Sequence, residues 1–123
     1  MIQGSRQALR RLFGSLQRTW DRIVKRRSLY SLAETEDLPD RLARRMLYLV
    51  GEPGYPLHAS MACPRGRCST ILNMNLAPDE QPQWSLQTDV NGRPTLTPSV
   101  WERTTCGCHF VLRNGRVEWC KNQ

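Results

Sequence analysis

The chain has 123 residues, enough for one ordinary domain and too few for two. Its net charge of +7 is unevenly placed: residues 1–30 hold eight Lys/Arg against one acid, and residues 31–123 hold ten of each. The main part is therefore neutral, which argues against nucleic-acid binding by it, and no uninterrupted apolar run supplies a signal peptide or a membrane span.

Gln7 to Arg27 carries Leu9, Leu12, Phe13, Leu16, Trp20, Ile23 and Val24 at spacings of three and four, with arginines on the remaining faces. This predicts a basic amphipathic helix within residues 1–30. Such a helix either packs on its own domain or docks on a membrane surface or an acidic protein partner. Residues 31–45 are polar and acidic at their start, with Pro39 inside, and read as a linker. Residues 46–123 then form a small, mainly β domain of short antiparallel strands. Met46–Val50, Leu57–Ala62, Thr70–Leu76 and Trp84–Thr88 are the first strands, and Asp89–Gly92 is a hairpin turn. Thr95–Thr97 returns, and Pro98 is expected to stop it.

The closing hairpin is the most specific expectation. A two-residue loop at Asn114-Gly115 pairs Arg113 with Arg116, Leu112 with Val117, Val111 with Glu118, Phe110 with Trp119 and His109 with Cys120. Phe110, Leu112, Val117 and Trp119 then share a core face. His109, Val111, Glu118 and Cys120 share the other.

Two chemistries compete along this stretch. The first is metal binding. Cys63-Pro-Arg-Gly-Arg-Cys68 is a knuckle at zinc-ligand spacing, and Cys106-Gly-Cys108-His109 supplies a second. Clustered cysteines without a signal peptide indicate a cytoplasmic location and metal rather than disulfides. Structural zinc takes four ligands. Cys63, Cys68 and Cys106 are three of them, and the fourth is Cys120, Cys108 or His109. Cys120 is assigned, because that choice leaves His109 free. The second chemistry is nucleophilic. Ser99 lies ten residues before His109, a serine needs a base, and the base needs an orienting group. Glu118 is the expected orienter and Glu102 the alternative. On residue types alone, a non-enzymatic zinc-bound interaction module stands beside this reading. A zinc hydrolase is disfavoured, because a cysteine-rich set leaves no open coordination position.

The series Cys63-Pro-x-Gly-x-Cys68, Trp84, Thr95-Leu-x-Pro-Ser99-Val-Trp101, Cys106-x-x-His109-Phe110 and Gly115-Arg-Val-x-Trp119 resembles a small bacterial family found in ubiquitin-like conjugation operons. The likeness covers about Leu47 to Cys120. It implies a BubP-type serine peptidase of an antiviral system that matures or deconjugates a ubiquitin-like protein. E1-like and E2-like proteins of the same pathway are implied partners. It further implies Ser99 as nucleophile, His109 as the matching histidine, and Cys63, Cys68 and Cys106 as zinc cysteines. Backbone amides near Gly107 are the expected oxyanion donors.

Overall fold

Short apolar runs, punctuated by Gly, Pro and Asn turns, form eight strands among the described residues. They are β1 (Ser31–Thr35), β2 (Met46–Glu52), β3 (Tyr55–Ala62), β4 (Ile71–Asn75), β5 (Ser85–Thr88), β6 (Pro94–Trp101), β7 (His109–Arg113) and β8 (Arg116–Trp119). The structure is a computed structural model and describes residues 16, 18–20, 28–66 and 68–121. β1 to β4 make one sheet in that order, and β5 to β8 make the other. Only β1 and β2 run parallel; every other neighbouring pair is antiparallel.

Alternation decides which side chains go inward. Leu47, Leu49, Ala59, Met61, Leu72 and Met74 of the first sheet meet Leu96, Val100, Phe110 and Leu112 of the second in one core. The fold is thus two sheets packed over a single apolar layer. Tyr30 ties them together: its amide donates to the Gly115 carbonyl at 2.7 Å, and its own carbonyl accepts from Arg93 Nη1 at 3.2 Å. Gly115 has φ +80°, and a Cβ there would lie 3.0 Å from the Tyr30 carbonyl oxygen. A side chain is excluded on both counts. At the other connection Asn75 organises the loop between the sheets. Its Nδ2 donates to the carbonyls of Ala77 and Glu80, and the Trp84 amide donates to the Asn75 carbonyl at 2.8 Å.

All four hairpin pairs from Phe110–Trp119 to Arg113–Arg116 form as the Asn-Gly turn predicts. Three expectations change. Residues 31–35, read as the start of a linker, are β1, whose half-buried residues pair with β2. Pro98 does not stop β6, which runs on to Trp101. The missing amide is tolerated because β6 shifts register between Leu96 and Val100, and because β5 has already ended opposite Thr97. Trp119 is half-exposed rather than core, because it closes the edge strand β8. Its ring meets Phe110 edge-on at 5.8 Å between centroids. The helix expected from Gln7 to Arg27 lies largely outside the described residues. Within it only Leu16 and residues 18–20 are described, and these few helical residues do not support a helix of that length. Among the described residues, no helix is long and apolar enough to cross a membrane.

Candidate active site and metal cluster

β6 carries Ser99 in the segment where its register slips. Leu96 pairs with Leu112 and Val100 with Phe110, so three residues of β6 face a single residue of β7. Thr97-Pro98 is a cis peptide bond within this bulge. Beyond it the ladder is regular, and Trp101 lies opposite His109. Val100, Cys108 and Phe110 are buried toward the core. By alternation Ser99, Trp101 and His109 project from the opposite face. Ser99 and His109 are diagonal neighbours there, and the imidazole spans the gap: Nε2 lies 3.0 Å from Ser99 Oγ.

Two tryptophans set this geometry. The indole of Trp101 stacks on the His109 ring, with centroids 4.5 Å apart and planes 9° from parallel. The Arg103 guanidinium covers Trp101 at 3.8 Å. Trp84 holds the serine's backbone, its Nε1–H donating to the Ser99 carbonyl at 3.3 Å. Neither role was predicted from the residue pattern. For Trp101 a signal existed, since a residue two places from Ser99 shares its face.

The structure does not bring the expected acids to His109. Nδ1 is buried and has no hydrogen-bond partner among the described residues. Glu118 instead pairs with Arg113 at 3.2 Å, both side chains being about half-exposed. Val111 stands opposite Glu118, so Arg113 is a diagonal neighbour on the same face, and its guanidinium takes the carboxylate. Glu102 accepts hydrogen bonds from the Thr104 amide and hydroxyl, which hold its carboxyl below the usual range. Stacking on Trp101, not a carboxylate, orients the His109 ring. Glu118→Gln should therefore leave hydrolytic rates within about twofold and stability within ~0.5 kcal/mol, the scale of an exposed ion pair. A loss of activity like that of a triad acid, measured on the purified variant, would restore Glu118 as orienter.

The cysteines gather on the core side. Ligand atoms of Cys63, Cys68 and Cys106 lie within 4.8 Å of one another, with the Cys63 and Cys106 sulfurs 3.4 Å apart. Cys108, fully buried two residues after Cys106, lies in the same core cluster as Cys63. Burial pushes the Cys63 and Cys108 thiols up. Burial acts in the same sense on Cys106, but hydrogen bonds from the Cys68 thiol and the Cys108 amide outweigh it and bring Cys106 down to about 6. A thiolate ringed by thiols is a soft donor set, and four sulfurs suit a closed tetrahedral metal. Cys120, the expected fourth ligand, is not brought into this group. Its amide donates to the His109 carbonyl at 2.9 Å, so it sits opposite His109 and shares that residue's face of the sheet. Cys108, one residue before His109, points the other way, into the core. The cysteine cluster and the serine–histidine pair thus occupy opposite faces of one strand end.

The family described as bacterial ubiquitination-like system serine protease (BubE) matches residues 34–120. The chain belongs to the BubE family. The match takes in every strand from β2 to β8, the four clustered cysteines, Ser99 and His109. It identifies the family as a whole and leaves the narrower BubP type aside. No match is found among curated proteins or among solved structures. Membership of the BubE family makes the 3.0 Å contact between Ser99 and His109 the first place to look for chemistry.

Proposed function

We propose that this BubE-family chain is a serine peptidase using a Ser99–His109 pair. On this reading it matures the C-terminus of a bacterial ubiquitin-like protein, or releases that protein from its targets. The observation that carries the reading is the 3.0 Å separation of His109 Nε2 and Ser99 Oγ in a serine-protease family member. The contact is at hydrogen-bond reach, where a general base must lie.

Ser99 Oγ attacks the scissile carbonyl carbon while His109 Nε2 takes the hydroxyl proton. The ring's remaining N–H is then on Nδ1. Collapse of the tetrahedral intermediate breaks the C–N bond, and Nε2 returns the proton to the leaving amine. Water then attacks the acyl-serine with Nε2 again as base, releasing the carboxylate and restoring Ser99. The Trp101 indole, flat on the imidazole, keeps Nε2 aimed at Ser99 and offers its π face to the imidazolium. The same sequence cleaves an oxyester joining the ubiquitin-like protein to a hydroxyl. Amides near Gly107 are the donors proposed for the oxyanion.

Zn²⁺ held by Cys63, Cys68, Cys106 and Cys108 is assigned a structural role: it joins the β3–β4 connection to the β6–β7 loop that leads into His109. E1-like and E2-like proteins of the pathway are the proposed partners, and the cytoplasm the proposed location. An alkyl fluorophosphonate tests the reading. It should label Ser99 in the intact chain, with the modified residue located by peptide mass, and His109→Ala should slow labelling by at least about 10²-fold. An unlabelled Ser99 would sink the proposal.

A further inference from the structure

The strand that carries Ser99 extends past its neighbour β5. β5 pairs with β6 from Thr88–Pro94 to Ser85–Thr97 and no further, whereas β6 continues to Trp101. On its other side, this outer half of β6 is paired with β7 at Val100–Phe110 and Trp101–His109. Backbone directions follow from two hydrogen bonds. The Glu102 amide donates to the Cys108 carbonyl at 2.9 Å, so Glu102 faces β7. The Cys120 amide donates to the His109 carbonyl at 2.9 Å, so His109 faces β8 and not β6. Successive residues of a strand turn their N–H and C=O to opposite sides. The N–H and C=O of Trp101, in the regular part of the ladder, therefore point away from β7, to the side beyond the start of β5. The Ser99 carbonyl is already taken by the Trp84 indole, so Trp101 is the residue that offers its backbone to this side.

We infer that an extended peptide, the tail of the protein substrate, docks on this edge as an added strand hydrogen-bonded to the Trp101 backbone. The inference rests on the peptidase reading and states how its substrate is held. An amide and a carbonyl side by side on a strand edge are matched by another backbone, which is why strand addition recurs in peptide recognition. Strands lie about 4.8 Å apart, so a tail seated there passes beside Ser99 Oγ with its carbonyls within reach of attack. Trp101 then has two parts to play: its ring positions His109, and its backbone positions the substrate. Recognition through backbone leaves side-chain identity open and demands an extended, unfolded tail.

The test uses the full chain and an acetyl-tetra-alanine diphenyl phosphonate, in which Ser99 Oγ forms a P–O bond and phenol leaves with the serine proton. Its single-residue analogue carries the same reactive group without the strand. The tetrapeptide probe should label Ser99 at least about tenfold faster than the analogue, each backbone hydrogen bond contributing roughly 1 kcal/mol. N-methylation at single amides should abolish this advantage at alternate positions and spare those between. Exchange of the Trp101 amide should slow in the tetrapeptide adduct and not in the analogue's adduct. Labelling at one rate by every probe, with unprotected Trp101, overturns the docking edge and leaves the peptidase standing. Failure of all probes to label Ser99 overturns the peptidase reading and this inference with it.

Discussion

Ser99→Ala is expected to lower kcat/KM for cleavage of a ubiquitin-like precursor by at least about 10³-fold, the scale lost when a serine nucleophile is removed. Fold and metal content should not change. Ser99 is half-buried in a β6 bulge, and the features that shape that bulge are backbone ones: the cis Thr97-Pro98 bond and the Trp84 bond to the Ser99 carbonyl. Alanine keeps both. It loses only the contact from Oγ to His109 Nε2, worth about 1 kcal/mol to stability. Cleavage assayed by intact mass, beside a thermal melt and a zinc determination, separates the catalytic effect from a folding defect. Wild-type cleavage by the alanine variant would remove Ser99 from the mechanism.

Cysteine replacement should divide the five thiols by sheet face. Cys106→Ser and Cys108→Ser are expected to lose stoichiometric zinc and to unfold at assay temperature. A closed zinc site contributes on the order of 10 kcal/mol at neutral pH, comparable with the whole stability of a small domain. Cys120→Ser should keep full zinc and a melting temperature within a few degrees, because its backbone bond to His109 survives and its side chain faces away from the cluster. Zinc measured by mass spectrometry on each purified variant decides the matter, and loss of metal from the Cys120 variant alone would reverse the assignment. The sign of the pH effect also follows. Burial keeps Cys63 and Cys108 protonated in the metal-free protein. Zinc uptake at neutral pH must release those protons, so zinc retention falls as pH is lowered. Calorimetry in buffers of different ionisation enthalpy reads the release.

These two experiments address different faces of one short segment, and that division bears on the design of the site. Zinc on the core side can fix where β7 begins. His109, the next residue after Cys108, then projects from the other side against Trp101 and Ser99. The cysteine cluster and His109 are joined through the backbone and share no side chain, so a metal held by the one would leave the other free.

Much of this was legible in the residues themselves. A short apolar run before a turn placed β2, period-two alternation placed β4 and β5, and Asn114-Gly115 set the β7–β8 register pair by pair, because a tight turn leaves a hairpin no freedom to slip. The Ser99 and His109 pairing and three of the clustered cysteines were legible from motif and spacing. What tertiary structure alone decided is what lies across a strand from what. Glu118 had Arg113 as well as His109 within diagonal reach, and the opposite charge took it. Pro98 could stay within β6 only because β5 ended beside it. Cys108 and Cys120 are alike as residues, and the side of the sheet on which each falls, fixed by pairing between distant segments, sends one to the core side with the clustered cysteines and the other to the face of Ser99 and His109.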